Sequence, residues 1–255
     1  MMEREPDARS LQVGDAHIYV VRAEGPMDPG VRAECWEWMD GHERARHDRF
    51  RVEHARDQHI LARALVRTVL SRYVPVDPGA WRFTATDKGR PEIAGPEDVP
   101  PLRFNLSHTR GLLACVVTLE SDAGIDVEWI HRKGRTVDVA DRYFSPIEVK
   151  ALHRLPVRAQ RDRFFDLWTL KEAYIKARGL GLALPLRKFS MHVDEDRSVS
   201  ITMDPSIGDV PEGWYFQLFD PTDTHRLAVG IRGGHAAKVR FRELDVAADL
   251  AARRQ

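Results

Sequence analysis

Three carboxylates and two lysines, packed into two short stretches, are the residues here whose types and spacing could do chemistry. Gly124-Ile125-Asp126-Val127-Glu128 carries two of the acids. Trp168-Thr169-Leu170-Lys171-Glu172-Ala173-Tyr174-Ile175-Lys176-Ala177-Arg178-Gly179-Leu180-Gly181 carries the third acid between the lysines. On a strand, residues two apart share a face, so Asp126 and Glu128 point together while Ile125 and Val127 turn toward a core. Like charges side by side are costly unless a cation neutralises them. Oxygen donors with no His or Cys nearby suit Mg²⁺ or Mn²⁺ better than zinc. An edge strand with a polar face accounts for the same pentapeptide. Glu172, Lys176 and Trp168 share a face of a helix, which fits an active site or an i,i+4 salt bridge worth about 0.2–0.5 kcal/mol. Lys171 and Lys176 bracket Glu172, and Gly179 and Gly181 would let backbone approach a bulky ligand.

Three further patches add cations. Phe104-Asn105-Leu106-Ser107-His108-Thr109 reads as a strand running into a turn, which would expose a hydroxyl, an imidazole and backbone N–H groups. Such a turn binds phosphate or closes on its own hydrogen bonds. No Gly-x-Ser-x-Gly elbow surrounds Ser107, so a serine hydrolase is not supported. Asp87-Lys88-Gly89-Arg90-Pro91 is a tight turn exposing two cations. Arg44-Ala45-Arg46 and Arg63 form the last basic group, which by itself is a solvated surface or an anion site.

The elements that must position these residues follow from periodicity. A strand is expected over Ala16–Val21, then helix from Cys35 to Tyr73, where Leu61, Leu65, Val69 and Tyr73 recur every four residues. Strands follow at Trp81–Thr86, Arg103–Leu106, Leu112–Leu119 and Gly124–Ile130, with residues 94–101 as loop and Ser107–Gly111 as the turn between two of them. Ser145-Pro146-Ile147-Glu148 has the pattern of a capping box. A long helix runs from Arg158 to Arg178 and ends at Gly179. Strands then fall at Lys188–Val193, Ser198–Met203, Trp214–Phe219 and Arg226–Ile231. Each half reads as strand, helices and antiparallel strands. The expected fold is α+β with two similar lobes, each an antiparallel sheet packed with helices, and a cleft between them. Residues 1–10 are expected to be a disordered tail, 11–120 the N-terminal lobe, 121–243 the C-terminal lobe and 244–255 a tail or short helix.

Composition bounds the partners. The 255 residues hold 39 basic and 39 acidic side chains, so no global field draws the chain to nucleic acid or to a membrane. Only seven of the basic residues are Lys; an Arg excess suits phosphate recognition and also follows from base composition. Nucleic-acid binding would need a basic face with stacking aromatics, whereas the aromatics here read as core. Cys35 and Cys115 stand alone, which fits a reducing compartment. The charged start lacks a secretion signal, and no apolar run approaches the roughly 20 residues that span a bilayer. A cytoplasmic protein is expected.

In order and wording these patches resemble the 4′-phosphopantetheinyl transferases, in the larger surfactin type with two fused similar halves. The resemblance covers residues 15–235. It rests on Lys88-Gly89-Arg90-Pro91, Phe104-Asn105-Leu106-Ser107-His108, Gly124–Glu128 and Trp168–Lys176. It implies that fold, and transfer of the phosphopantetheine arm of coenzyme A to a serine of an apo acyl or peptidyl carrier protein. Adenosine 3′,5′-bisphosphate is the other product. Asp126, Glu128 and Glu172 then look like ligands of Mg²⁺, with Mn²⁺ as substitute. Glu172 is expected as general base, and Lys176 as the contact to the pyrophosphate. Arg46, Arg63, Lys88, Arg90, Ser107, His108 and Lys171 are expected to bind the ligand's phosphates. The family pattern often has Lys where Arg90 stands, which keeps the charge. The carrier, a small acidic helical domain of nonribosomal peptide or polyketide synthesis, is expected to meet Tyr143, Phe144 and Leu152. The protein is expected to act as a monomer. A coenzyme A-binding regulator without chemistry is the competing reading, and it leaves the carboxylate trio unexplained.

Overall fold

A computed structural model describes residues 11–134, 136–233 and 238–253. The expected tail at 1–10 lies outside the described residues. Two sheets organise the chain. The first has the order β11-β1-β5-β4, formed by Val239–Glu243, Ala16–Ala23, Gly111–Leu119 and Leu102–Thr109. The second has the order β6-β10-β9, formed by Ala123–Trp129, His225–Arg232 and Trp214–Thr222. Two hairpins flank them: β2 (Arg82–Ala85) with β3 (Pro91–Gly95), and β7 (Phe189–Val193) with β8 (Val199–Met203).

Alternation decides which residues meet. Ile18, Val20, Ala114 and Val116 of the first sheet pack with Ile125, Val127, Leu227 and Val229 of the second, so the sheets share an apolar layer. Helices cover the other faces. Helix α3 (Glu53–Leu70) lays Ile60, Leu65 and Val69 on Tyr19, Leu113 and Cys115. Helix α6 (Val157–Arg178) lays Phe164, Leu170, Ala173 and Tyr174 on Phe216, Leu218 and Ala228.

The helical stretch expected from Cys35 to Tyr73 is divided among three helices, α1 (Pro29–Glu37), α2 (Gly41–Asp48) and α3. Asp40 restarts the chain after α1, because its side chain accepts from Glu43 N while Glu43 caps Asp40 N in return. Helix α3 stops at Leu70, so Tyr73 lies beyond it. The expected loop at 94–101 begins as strand, since β3 continues to Gly95. After β6 come α4 (Ala140–Tyr143) and α5 (Pro146–Arg154), whose start is the expected Ser145–Glu148 capping box. Gly179 ends α6 at φ 63°, a left-handed turn that suits Gly.

The chain's end departs from its expected place. Strand β11, assigned by sequence to the second lobe, runs parallel to β1 in the first sheet. Helix α7 (Val246–Arg253) follows it. Leu244, Val246 and Leu250 are buried with the core around α3, and Arg72 pairs with Asp249. Residues 244–250 are therefore packed structure. Among the described residues, no helix is long and apolar enough to cross a membrane.

Candidate active site

Strand β6 presents Gly124, Asp126 and Glu128 on the face opposite Ile125 and Val127, and that face meets α6. Gly124 makes the meeting close: a Cβ there would stand 2.1 Å from Ala173 O and 2.5 Å from Ala177 N. Its partner across the sheet is Gly230. Two glycines therefore let the helix backbone rest against the sheet. The contact puts Glu172 and Lys176 beside Asp126. Lys176 Nζ donates to Asp126 Oδ1 at 2.7 Å, Ser107 Oγ at 2.9 Å and Ile125 O at 3.1 Å. The i,i+4 pair anticipated between Glu172 and Lys176 is thus redirected across the helix–strand contact.

Ser107 and His108 lie within β4, not in a turn. Pairing of β4 with β5 continues to Thr109 opposite Leu112, and Gly111 at φ +82° closes the hairpin. Being in a strand gives Asn105, Ser107 and Thr109 one common face. Asn105 Oδ1 accepts from Ile125 N at 3.0 Å, Ser107 Oγ from Val127 N at 3.2 Å, and Thr109 Oγ1 from Trp129 N at 3.2 Å. Three side chains replace a backbone ladder and fix β6 against β4. Ser107 also donates to Asp126 Oδ1 at 2.9 Å, so the hydroxyl orients the carboxylate. The signal for this face is in the sequence, as polar residues at i, i+2 and i+4, but the expected strand ends at Leu106 and leaves Ser107 and Thr109 in the turn.

The three carboxylates repel one another. Burial first, then Asp126, pushes the Glu128 carboxyl up, with Arg132 opposing. Burial, Asp126 and Glu128 raise Glu172 to about 7, against the pull of Lys176. On the other flank, His108 keeps an exposed edge in a crowded recess. That crowding, then the charges of Lys176, Arg63 and Arg46, holds its imidazolium below the ordinary range. Arg46 is exposed, and Arg63 lies 3.8 Å from Glu43, whose carboxylate is gripped from behind by buried Arg67 at 3.1 and 2.7 Å. Acid and base are therefore adjacent: a carboxylate trio beside a bed of cations.

Of three further expected ligand contacts, Lys171 is placed elsewhere, while Arg90 and Lys88 lie at the end of α6 and on an exposed turn. Lys171 is buried against Phe189 on another side of α6, where Nζ contacts Glu148 at 2.9 Å and the carbonyls of Leu186 and Phe189. Burial lowers its pKa to about 8. A side chain so enclosed does not reach the carboxylates. Arg90 donates to Ala177 O at 2.9 Å and Lys176 O at 3.4 Å, which caps the last turn of α6 and favours its negative end. Lys88 is exposed at the tip of the β2–β3 turn. Of the expected carrier contacts, Phe144 and Leu152 are core residues, and Tyr143 is half-buried edge-on to Trp168.

Among the described residues, no three His, Cys, Asp or Glu side chains stand close enough to make a preformed metal cage. The donor chemistry nonetheless fits a hard cation: the three acids are all oxygen donors, and Asp126 Oδ2 is buried without a hydrogen-bond partner. A cavity of about 1160 Å³ lies elsewhere, near the start of α3 and the β11–α7 junction. Six carboxylates and two arginines line it, a poor match for a phosphorylated ligand.

Comparison with known proteins identifies the family. Residues 122–230 match the family model of the 4′-phosphopantetheinyl transferase superfamily, and residues 33–120 match that of the 4′-phosphopantetheinyl transferase N-terminal region. The 4′-phosphopantetheinyl transferase Sfp of Bacillus subtilis (strain 168) is 32% identical over 214 residues, which is 83% of this chain and 90% of that protein. The 4′-phosphopantetheinyl transferase HetI of Nostoc is 30% identical over 229 residues, 90% of this chain and 92% of its own. The solved holo-[acyl-carrier-protein] synthase of Thermotoga maritima covers 44% of this chain and 62% of its own, at 18% identity and a TM-score of 0.35. Both halves of the sequence, including every residue of the carboxylate–cation cluster, fall inside these matches, and the chain belongs to the 4′-phosphopantetheinyl transferases of the surfactin type.

Proposed function

We propose that this protein transfers the 4′-phosphopantetheine arm of coenzyme A to a serine hydroxyl of apo acyl or peptidyl carrier proteins, with Mg²⁺ or Mn²⁺, releasing adenosine 3′,5′-bisphosphate. The observation that carries this reading is the junction of Asp126, Glu128 and Glu172 with Lys176 and the cations around His108. Such a junction suits a divalent cation and a polyphosphate bound together. The ligand would lie where the N-terminal lobe (11–120) meets the C-terminal lobe (121–243).

Asp126, Glu128 and Glu172 would hold Mg²⁺, and when bound it would neutralise the charge that develops on the pyrophosphate oxygens. The carrier serine Oγ attacks the β-phosphorus, and the bond from that phosphorus to the bridging oxygen breaks. Glu172, held near 7 by burial and its neighbours, takes the serine proton directly or through one water. Lys176, beside Asp126, stabilises or protonates the departing phosphate. Arg46, Arg63 and His108 hold the 3′-phosphate and its neighbours. Ser107 positions Asp126 and Lys176 instead of gripping phosphate, because its hydroxyl is already engaged by both. The carriers are those of nonribosomal peptide or polyketide synthases, and the enzyme acts as a cytoplasmic monomer.

The test is to mix the protein with coenzyme A, Mg²⁺ and a panel of apo carriers, then weigh the carriers. Gain of one phosphopantetheine arm on serine is expected. A panel left unmodified, while an authentic transferase modifies it, refutes the proposal. That result would favour coenzyme A binding without chemistry.

A further inference from the structure

One arginine that none of the motifs includes is built into the carboxylate cluster. Arg132 follows β6, and its Nη1 lies 3.1 Å from both carboxylate oxygens of Glu128. Its guanidinium is stacked over two rings of α6, with centroids 5.1 Å away at Phe165 and 5.8 Å at Trp168. Trp168 stands one helical turn before Glu172. The backbone beneath is fixed too. Arg161 donates to Arg132 O at 2.5 Å, Ile130 O at 2.7 Å and Thr136 Oγ1 at 2.9 Å, which pins the segment after β6.

The pair differs from an ordinary surface salt bridge. Glu128 retains 16% of its side-chain exposure and Arg132 38%, so one partner is nearly enclosed while the other keeps a path to solvent. The rings also offer the guanidinium a seat of its own, since cation–π contact does not need the carboxylate. Asp126 has a counterpart arrangement, with Lys176 on Oδ1 and Oδ2 unpartnered. Two of the three acids thus have a protein cation in contact.

We propose that Arg132 competes with the divalent cation for Glu128, so that this chain's cation affinity is set by displacement of a stacked guanidinium. The inference rests on the reading of Glu128 as a metal ligand. No covalent step is involved; one ion pair is exchanged for another. Removing a single positive charge in contact with so enclosed a ligand should tighten cation binding by about tenfold.

The test titrates Mn²⁺ at fixed coenzyme A without carrier and follows free Mn²⁺ by its electron paramagnetic resonance signal. Each variant is compared with a protein-free blank. Arg132→Gln is expected to bind Mn²⁺ about tenfold tighter than the wild type. Arg132→Lys, which keeps charge but loses the planar fork, is expected to fall between them and serves if Arg132→Gln does not fold. Glu128→Gln is expected to weaken binding. Unchanged or weaker binding in both arginine variants, with Glu128→Gln weakened, overturns the competition and leaves the metal reading standing. Unchanged binding in Glu128→Gln overturns the metal reading itself, and the competition with it.

Discussion

Substituting Gly124 by Ala adds one methyl group at the point where β6 and α6 touch, and the consequence can be worked from the geometry. The new Cβ would stand 2.1 Å from Ala173 O and 2.5 Å from Ala177 N, both backbone atoms of one helical turn. Ordinary contact begins near 3.4 Å, so helix and strand must part by about 1.3 Å. Neither clashing atom belongs to a side chain that could rotate away. Strand β6 is held by β10 on one side and by Asn105, Ser107 and Thr109 on the other, so the helix has to give way. Overpacking of this kind costs about 1–3 kcal/mol, which for a chain of this size lowers Tm by roughly 2–4 °C per kcal/mol. Catalysis should suffer more. Glu172 and Lys176 flank Ala173 and Ala177, and a displacement near 1 Å costs on the order of 10²-fold in rate. Carrier modification followed by mass spectrometry, beside a thermal melt by circular dichroism, measures both. Gly213→Ala is the control, since a Cβ there would meet only Val210 Cγ2 at 3.6 Å. Wild-type turnover and Tm in Gly124→Ala would show that the close contact does not position the cluster.

Other consequences can be measured directly. Glu172→Gln should lower turnover by about 10²–10⁴-fold at saturating Mg²⁺ and coenzyme A; near-full turnover would remove Glu172 as base. A base near 7 gives a rate that rises with pH through that value, and higher Mg²⁺ should move this acid limb to lower pH by favouring the charged carboxylate. Lys171→Met should destabilise the fold by about 3–5 kcal/mol, because it strands buried Glu148. If Lys171 were a phosphate ligand, the variant would instead raise KM for coenzyme A at unchanged Tm. Burial lowers His17 and His59 to about 4 in the fold, against 6.5 unfolded. The unfolded chain therefore takes protons first, so stability is full above pH 6.5 and falls by about 1–2 kcal/mol per histidine toward pH 4. Denaturant midpoints at pH 7 and 4.5 check this, and His17→Asn should flatten the slope.

Much of the cluster was legible in the sequence because its chemistry is local. Asp126 and Glu128 are two apart on one strand, and Glu172 and Lys176 are four apart on one helix, so each pair is fixed by its element's period. The capping box at Ser145 and the glycine end of α6 were legible for the same reason. What sequence could not give was the direction of each side chain around the helix. Lys171 is next to Glu172 in the chain, yet 100° of rotation per residue carries it to another side, into a buried pair with Glu148. The family resemblance makes Arg90 a phosphate ligand. The carbonyls that it caps come from a helix 86 and 87 residues later. Phe144 and Leu152 were expected at a surface, but short helices bury whichever residues face the core, and no periodicity is reliable over four to nine residues.

The arrangement also explains why one of three nearly equivalent carboxylates is suited to take a proton. Asp126 has Lys176 at 2.7 Å and the Ser107 hydroxyl at 2.9 Å, both of which stabilise its charged form. Glu128 has both oxygens within 3.1 Å of Arg132. Among the described residues Glu172 makes no comparable ion pair and feels Lys176 only through space, against burial and two negative neighbours. The rise is largest where the direct partner is missing, so Glu172 alone reaches about 7. Moving a cation should shift this balance. In Lys176→Ala, Glu172 loses the cation that opposes its rise, so its carboxyl should stay protonated at neutral pH. The variant should then be slow at pH 7 and recover partly toward pH 9, whereas loss of leaving-group stabilisation alone would depress the rate equally at both. A pH-rate profile of Lys176→Ala that parallels the wild type would refute the division of roles and leave Lys176 acting on the phosphate only.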